Sequence, residues 1–361
     1  MTDKGAEKLP TNWYVYHGGG YRTSEEDVQA WLDQPPPWRR AAMRWDDRPD
    51  CVEREAPQPE PDSAEERRGR FYVSTNGERE LQRINMALQL RRPLLVRGKP
   101  GLGKSSVAYS IAWSLGLGEV LRWEIGSRTA LQDGLYEYDA VSHLHATRDN
   151  PKALIDDFIT LGPLGTALLP TRKPRVLLVD ELDKASYDLP NDLLHVFEEG
   201  NFVVRPLLRR GGEARVLPFD HGRPRLKSDE SESTHQSRVV AADKEAFREP
   251  GSEDRVSIHQ GRVCTHNHPI VIITTNDERE FNEAFCRRCV TLDLRRSDDP
   301  VVLGEVVRNW FGRDQDVAEL ISAYPKENTD VLLQALFLER TLGAPRDAVQ
   351  EGLLRAASDP E

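Results

Sequence analysis

The sequence predicts an α/β fold in which helices lie on both faces of a parallel sheet, and three apolar stretches indicate it. Residues 94–97 read Leu-Leu-Val-Arg, residues 176–179 read Val-Leu-Leu-Val, and residues 270–273 read Ile-Val-Ile-Ile. Short apolar runs are typical of strands that are buried on both faces, as they are in a parallel sheet. Between these runs, apolar residues recur at helical spacing, for example at Val107 and Ile111. The expected sheet is therefore sandwiched by helices.

A glycine-rich loop follows the first predicted strand. Residues 98–105 read Gly-Lys-Pro-Gly-Leu-Gly-Lys-Ser and fit the pattern G-x-x-x-x-G-K-[ST]. The glycines let backbone N–H groups converge on a phosphate, and the helix that begins near Lys104 directs its positive end to the same place. Lys104 is expected to contact the β- and γ-phosphates of ATP, and Ser105 to offer its hydroxyl to Mg²⁺. An ordinary glycine-rich turn is the alternative, but the flanking strand and helix favour phosphate binding.

Two carboxylates end the second predicted strand. Asp180 and Glu181 follow residues 176–179, and the carboxyl ends of parallel strands are where α/β sheets bind ligands. We expect Asp180 to hold Mg²⁺, mostly through water, and Glu181 to orient and activate the attacking water. Ser105 and Asp180 are the predicted metal ligands. The predicted nucleotide-binding residues are Gly98, Pro100, Gly101, Leu102, Gly103, Lys104, Ser105, Ser106 and Asp180.

Residues 1–75 differ in composition from the rest, and we predict an aromatic-rich N-terminal extension followed by a linker. Four of the seven tryptophans precede residue 46. Residues 23–27, Thr-Ser-Glu-Glu-Asp, are typical of a helix start, and the prolines at 35–37 are expected to end that helix. The aromatic rings either form a docking unit or pack on the main domain, and packing is favoured. Residues 55–67, rich in proline and glutamate, are expected to be a solvated linker.

The main α/β domain is predicted over residues 76–297, and residues 298–361 are predicted to be a small helical lid. Within the main domain, residues 205–262 are expected to be a polar insertion. Its centre, residues 227–233, is charged and poor in apolar residues, so partial disorder is expected there. Neither the insertion nor the N-terminal extension is expected to supply catalytic groups.

Two groups of potential metal ligands have plainer alternatives. His143 and His145 could share one face of a strand, but no third ligand is close to them in the sequence. Two arginines separate the last two cysteines of the second group, and their charge opposes a bound cation. Cysteines that fill the core are therefore favoured over zinc there. The members of this second group are Cys264, His266, His268, Cys286 and Cys289.

Composition argues against several classes of function. The chain has 361 residues and a net charge of -11, which argues against a surface that binds nucleic acid generally. Its four unevenly spaced cysteines suggest no disulfide framework and suit a reducing cytosol. Polar sequence follows Met1, and no run approaches the roughly 20 apolar residues of a membrane span. We therefore expect a cytoplasmic location, with no signal peptide and no membrane segment.

Several of these motifs together resemble those of an AAA+ ATPase. They are the phosphate loop, the acidic strand end, Asn276, the arginine pair at 287–288 and the Gly-Ala-Pro-Arg run at 343–346. Two further stretches resemble local signatures of the MoxR-like branch. These are residues 159–164, Ile-Thr-Leu-Gly-Pro-Leu, and residues 197–202, Phe-Glu-Glu-Gly-Asn-Phe. The resemblance covers most of the chain beyond the N-terminal extension.

The resemblance implies roles for residues at matching positions. Asn276 is implied to help place the water near the γ-phosphate, and Arg346 to contact the γ-phosphate from the lid of the same chain. Arg288, or else Arg287, is implied to be an arginine finger that reaches the nucleotide of a neighbouring subunit. These four residues and Glu181 make up the predicted catalytic set.

The same resemblance implies a homo-oligomeric ring, most simply a hexamer, that hydrolyses ATP at its subunit interfaces and remodels or activates a protein client. MoxR-like ATPases commonly act with von Willebrand factor A-type proteins, so such a protein is a candidate partner. The alternatives are an ATP-gated switch or scaffold with low turnover, as in a bacterial defence-type system, a nucleic-acid-associated ATPase, and a small-molecule kinase. The acidic pair Asp180 and Glu181 and the candidate finger favour the hydrolysing enzyme. The strand that ends at Asn276 and the helix with Arg346 argue against the kinase.

Overall fold

The computed structural model describes five stretches of the chain, which are residues 13–39, 56–219, 255–295, 300–311 and 329–358. Their strands are β1 (Leu94–Arg97), β2 (Leu121–Glu124), β3 (Tyr136–Tyr138), β4 (Ile159–Leu161), β5 (Val176–Asp180), β6 (Asn201–Val203), β7 (Glu213–Val216), β8 (Val256–His259), β9 (Arg262–Cys264), β10 (Ile270–Thr275) and β11 (Val290–Asp293).

The helices of the same stretches are α1 (Glu25–Leu32), α2 (Ala64–Arg70), α3 (Glu78–Leu90), α4 (Ser106–Leu115), α5 (Leu131–Leu135), α6 (Ala140–Asp149), α7 (Pro163–Ala167), α8 (Leu189–Glu199), α9 (Arg205–Arg210), α10 (Glu283–Arg288), α11 (Pro300–Phe311), α12 (Thr329–Leu336) and α13 (Arg346–Ser358). Tighter turns lie at Pro37–Arg39, Ile155–Phe158 and Leu182–Lys184, and a π-helical turn lies at Phe337–Thr341.

The central sheet has five parallel strands in the order β11-β1-β10-β5-β2. Its side chains alternate between two hydrophobic clusters, one on each face. On β5, for example, Leu177 and Val179 belong to one cluster, whereas Val176 and Leu178 belong to the other. Because both faces are covered, the strands can be apolar throughout. The predicted fold class, a parallel sheet sandwiched by helices with a phosphate loop after β1, is confirmed.

The N-terminal segment packs on the helices of one face of the sheet. Tyr16 is fully buried, and its hydroxyl lies 2.7 Å from Ser110 Oγ. The side chain of Asn85 accepts a hydrogen bond from the backbone N–H of Tyr16 at 3.0 Å and donates to the carbonyl of the same residue at 2.7 Å. Trp31 is also buried, whereas Trp38 is exposed. Tyr16 and Trp31 therefore pack on the main domain, the favoured alternative for the aromatic rings of this segment.

Part of the segment predicted as a solvated linker, residues 55–67, forms helix α2 instead. Ser63 caps this helix, because its hydroxyl accepts a hydrogen bond from the backbone N–H of Glu66. Gly69 allows α2 to lie directly on α4. A Cβ atom at that position would be 2.6 Å from the carbonyl oxygen of Tyr109 and 2.7 Å from Cβ of Trp113. Composition indicated a linker here, but capping and this close contact stabilise a helix.

A Gly69→Ala substitution is expected to lower the free energy of unfolding by about 1–3 kcal/mol, the usual cost of overpacking a contact with no free space. Gly304→Ala is the matched control, because Gly304 also lies in a helix but has no atom within 4 Å of an added Cβ. The control should be neutral or stabilise by up to about 1 kcal/mol, since alanine has the higher helix propensity. Urea titrations measure both, and equal effects would contradict the packing argument.

A second, four-stranded antiparallel sheet has the order β6-β9-β8-β7. It includes both described ends of residues 205–262, the predicted polar insertion. Ala214 and Val216 on β7, and Val256 and Ile258 on β8, are buried in the same cluster as one face of the central sheet. These apolar residues alternate with polar ones, so the overall composition concealed the strands. The charged centre of the insertion lies outside the described residues.

The two histidines near residue 144 lie on a helix. Strands β3 and β4 pair antiparallel, and α6 lies between them in the chain. His143 Nδ1 is 2.8 Å from the hydroxyl of Tyr138, and its ring stacks on Phe158. His145 lies on the same exposed helix. Among the described residues, no three Cys, His, Asp or Glu side chains are grouped closely enough to hold a metal ion.

Acidification is expected to destabilise the fold through His268. Burial, followed by the positive charge of Arg39, lowers the pKa of this histidine from 6.5 to about 4. Because the folded-state pKa is the lower one, the stabilisation is complete above pH 6.5 and is lost as the pH falls towards 4. Between pH 7 and pH 5 the loss amounts to roughly 2 kcal/mol. Urea titrations at both values should show this fall in the parent and a smaller one in His268→Leu; an equal fall would contradict it.

Helices α11, α12 and α13 form a separate small hydrophobic cluster next to the main domain. The ring of Trp310 on α11 packs edge-on against Phe71 at a centroid distance of 5.8 Å. Asn309 donates a hydrogen bond to the carbonyl of Phe71 at 3.5 Å. The predicted C-terminal lid is therefore helical where it is described, and it contacts the segment before α3. Within the described part of the chain, none of the helices combines the length and apolar character needed to cross a bilayer.

Candidate nucleotide-binding site

The glycine-rich loop, residues 98–105, joins the carboxyl end of β1 to the start of α4. Gly98 and Gly101 have φ angles of 149° and 76°, which favour glycine. Space favours glycine as well. A Cβ atom on Gly98 would lie 2.7 Å from the carbonyl oxygen of Leu294, and one on Gly101 would lie 2.1 Å from a carboxylate oxygen of Asp330 on α12. The loop is thus held between β11 and the predicted lid.

Lys104 lies at the centre of this loop with its amine turned inward. Nζ donates to the carbonyl oxygens of Gly98 and Lys99, both at 2.8 Å, and to Oδ1 of Asn276 at 2.6 Å. Burial lowers the pKa of the amine, and the negative charge of Asp183 is the largest influence that opposes the shift. The contact with Asn276 joins the end of the glycine-rich loop to the end of β10.

Asp180 ends β5 directly beside the loop. Its Oδ1 accepts hydrogen bonds from Ser105 Oγ at 2.8 Å and from Thr274 Oγ1 at 2.7 Å. Its Oδ2 accepts from Arg122 on β2, from Nη2 at 2.9 Å and from Nε at 3.2 Å. Burial lowers the pKa of Arg122, but the hydrogen bond and the charge of Asp180 outweigh it, so that the pKa is raised. Asp180 is only 7% exposed.

Glu181 follows with a left-handed backbone, at φ 62°. This conformation is uncommon for a residue other than glycine, and it turns the chain out of the sheet. The backbone N–H of Glu181 donates to Thr274 Oγ1 at 2.9 Å, which fixes the turn on β10. Its carboxylate is about half exposed and forms an ion pair with Lys184 Nζ at 2.6 Å. The carboxylate therefore faces the solvent side of the cleft.

Asp183 connects this turn to Asn276. Its Oδ2 accepts two hydrogen bonds from backbone N–H groups, one from Asn276 at 2.8 Å and one from Glu278 at 3.3 Å. Asp183 is 6% exposed, so the bond is shielded from water. Asn276 is thus held at two points. Asp183 accepts a hydrogen bond from its backbone N–H, and Lys104 donates one to its side-chain oxygen.

A cleft of about 460 Å³ opens over the loop and is closed on its other side by the predicted lid. Eight of the nine predicted nucleotide-binding residues line it, together with Glu181 and Asn276. The eight are Pro100, Gly101, Leu102, Gly103, Lys104, Ser105, Ser106 and Asp180. Gly98 contributes its carbonyl to Lys104 instead. Tyr72 and Trp310 lie across the cleft and give it an aromatic wall.

The three predicted arginines lie outside this cleft, as far as the described residues show. Arg287 and Arg288 end helix α10. Arg287 pairs with Glu283 one turn earlier on the same helix, and Arg288 pairs with Glu198 on α8. Arg346 begins α13, and its Nε lies 3.2 Å from Glu339 Oε2. Arg346 thus pairs within the predicted lid and does not line the cleft.

Three polar residues of the site were missed by sequence reasoning: Thr274, Asp183 and Arg122. Thr274 lies in the polar carboxyl end of β10, close to Asn276, and this position could have predicted that it belongs to the site. Asp183 is three positions beyond Asp180, and only the turn at Glu181 brings it back under β10. Arg122 was hidden because the sequence does not reveal that β2 lies beside β5.

The oxygen atoms around Asp180 suit Mg²⁺, which prefers hard oxygen ligands. The hydroxyl of Ser105 and the carboxylate of Asp180 lie 2.8 Å apart at the base of the loop. A hydroxyl and a carboxylate in this position can share a small cation that also binds phosphate oxygens. The two predicted metal ligands therefore fit the ion.

The fold and the loop after β1 together define a protein of the phosphate-loop α/β class. No protein-family model and no curated protein matches the sequence. Among solved structures, it is similar to the RuvB Holliday junction branch migration motor of Thermotoga maritima, with 13% identity, a TM-score of 0.37, and coverage of 79% of this chain and 71% of that one. It is also similar to a Cytophaga hutchinsonii protein described as an ATPase, with 13% identity, a TM-score of 0.37, and coverage of 81% and 70%. Values this low indicate neither an activity nor a partner for this chain.

Proposed function

We propose that this chain is an ATP-hydrolysing AAA+ ATPase of the MoxR-like branch, which remodels or activates a protein partner. One observation carries the proposal. The loop lysine Lys104, the hydroxyl-carboxylate pair of Ser105 and Asp180, the half-exposed carboxylate of Glu181 and the amide of Asn276 meet at one cleft. Each group is of the type that phosphate binding, metal binding or water activation requires.

Binding of ATP would begin with the loop. Lys104 now donates to three oxygen atoms, and phosphate oxygens of ATP can replace them without leaving the amine unpaired. The N-terminus of α4 adds favourable partial charge at the same place. Mg²⁺, when bound, neutralises charge on the β- and γ-phosphates. Ser105 and Asp180 would hold it.

Hydrolysis requires a group that orients water and accepts its proton, and Glu181 is the residue proposed for this role. Its backbone is fixed by Thr274, while its carboxylate is paired only at the exposed side of the cleft, with Lys184. Asn276 would place the same water or the γ-phosphate, because Asp183 holds its backbone while ATP frees its amide oxygen from Lys104. In this scheme Asp183 is a positioning residue.

Charge on the γ-phosphate still needs a cation opposite the loop during hydrolysis. Arg288 and Arg287 lie outside the cleft of their own chain, which supports the proposal that one of them serves the neighbouring subunit of a ring, most simply a hexamer. Arg288 is the preferred finger, and Arg346 is proposed to reach the γ-phosphate after lid movement. A protein client or a von Willebrand factor A-type protein is the proposed partner, rather than nucleic acid or a membrane.

The division into an extension over residues 1–75, a core over 76–297 and a lid over 298–361 is part of this proposal. The described part of the extension shares a hydrophobic cluster with the core. It supports the phosphate-loop helix through Tyr16 and Ser110, and five of its residues between Arg68 and Thr75 line the cleft. The extension is proposed to contribute to the wall of the cleft and to be accessory to catalysis.

A nucleotide-gated switch with low turnover is the second candidate, and two ion pairs favour it. Glu181 is paired with Lys184, and Arg288 with Glu198, so both proposed catalytic groups are held within one chain. A switch would keep these pairs when ATP binds, whereas a motor would break them. Steady-state phosphate release over many turnovers separates the two functions. Sustained release supports the motor, and stoichiometric binding with no release beyond one turnover supports the switch.

A further inference from the structure

Arg122 is in direct contact with Asp180, one of the two proposed metal ligands. Its guanidinium forms two hydrogen bonds with Oδ2 of Asp180, at 2.9 Å and 3.2 Å. The remaining edge of the guanidinium lies 3.1 Å from Oε1 of Glu124, two residues along the same strand. Asp180 is nearly buried, whereas the side chain of Glu124 is 74% exposed. The arginine therefore lies between a buried carboxylate and an exposed one.

Both carboxylate oxygens of Asp180 are occupied in this arrangement. Oδ1 accepts from the hydroxyls of Ser105 and Thr274, which are neutral and can rotate to accept other partners. Oδ2 faces the fixed positive charge of Arg122, which cannot be removed by deprotonation. A metal ion that approaches Asp180 must therefore share the carboxylate with Arg122 or displace the arginine.

We propose that Arg122 competes with Mg²⁺ for Asp180 and thereby sets the Mg²⁺ concentration at which the site binds Mg²⁺-nucleotide. The inference rests on the proposed nucleotide site. Glu124 gives the displaced guanidinium a second acceptor, so that the exchange needs only a small side-chain movement. Arg122 also lines the cleft, where its charge attracts phosphate when no metal is present. Competition with Mg²⁺ and support of metal-free nucleotide are two effects of the same cation.

Substitution of Arg122 and substitution of its exposed partner Glu124 should shift the Mg²⁺ requirement of nucleotide binding in opposite directions. ADP binding to the full chain is measured by calorimetry across a Mg²⁺ series and with a chelator. The Mg²⁺ concentration at which Mg²⁺ has half of its full effect on ADP affinity is the half-maximal Mg²⁺ concentration. Arg122→Gln should lower it by about fivefold, as expected for the loss of a charge-assisted bond at a partly exposed site. The same variant should bind ADP more weakly than the parent when a chelator removes Mg²⁺, because the charge of Arg122 no longer attracts the phosphates. Glu124→Gln should raise the half-maximal Mg²⁺ concentration, because it leaves the arginine to Asp180 alone.

Arg97→Gln is the matched control. Like Arg122, Arg97 lies on a strand of the central sheet and has a side-chain exposure of 37%. It pairs with the carboxylate of Asp277 at 2.8 Å. It should leave the Mg²⁺ dependence of ADP binding within twofold of the parent. An unchanged or increased Mg²⁺ requirement in Arg122→Gln, or a lowered one in Glu124→Gln, would overturn the inference. No ADP binding by the folded parent, with or without Mg²⁺, would overturn the proposed function as well.

Discussion

The Glu181→Gln variant is expected to bind ATP with the affinity of the parent and to hydrolyse it at least about a hundredfold more slowly, the loss typical of removing a general base. Binding should persist because Lys104, Ser105 and Asp180 contact the phosphates and the metal, and none of them hydrogen-bonds the Glu181 side chain. Glutamine keeps the size of the side chain but cannot accept a proton from water. ATP affinity and single-turnover hydrolysis are measured on the same preparation.

Glu137→Gln is the control for this variant. Glu137 lies on β3, is exposed and does not line the cleft. It should change neither ATP affinity nor turnover. Hydrolysis at the parental rate in Glu181→Gln would remove Glu181 from the mechanism, whereas a loss of ATP binding would mean that the variant had damaged the site itself.

The Arg288→Ala variant is expected to bind ATP normally and to lose about 10³-fold or more in turnover, the effect of an arginine finger in other phosphate-loop enzymes. Normal binding follows because Arg288 contacts Glu198 and lies outside the cleft of its own chain. Arg287→Ala is the matched comparison, since Arg287 is the adjacent residue on α10 and pairs with Glu283 instead. It should retain most of the parental turnover.

Mixing two inactive variants tests whether the finger acts between subunits. Arg288→Ala retains a complete phosphate loop, and Lys104→Ala retains the finger but lacks the loop amine. Mixed assemblies should recover part of the parental turnover, because some interfaces then contain one intact loop and one intact finger. Full activity of a monomer at every concentration, or unchanged turnover in Arg288→Ala, would contradict action between subunits.

The central sheet could be predicted because its strands have a strong local signal. β1, β5 and β10 each begin with three or four consecutive apolar residues, and each observed strand begins within one residue of the predicted apolar run. Helix α4 follows the loop as its apolar spacing indicated, with Val107 and Ile111 fully buried. The loop, Asp180 and Asn276 could be placed together for the same reason, since all three follow strands of one parallel sheet.

The remaining features depend on contacts between distant parts of the chain. Helix α2 lies in a proline- and glutamate-rich segment, and its packing depends on the fit of Gly69 against Tyr109. The small sheet joins β7 to β8 across residues 217–255, a separation that local periodicity cannot bridge. Likewise, Arg122 meets Asp180 only because β2 lies next to β5.

The most direct test of the account is the Mg²⁺-dependent release of phosphate from ATP by the purified chain, measured beside the Lys104→Ala variant together with ATP affinity. Lys104 makes the contact with Asn276 on which the arrangement of the site depends, and no other amine lines the cleft among the described residues. The account predicts sustained turnover in the parent, with neither ATP binding nor turnover in the variant. Parental turnover in Lys104→Ala, or a folded parent that does not bind ATP, would contradict it.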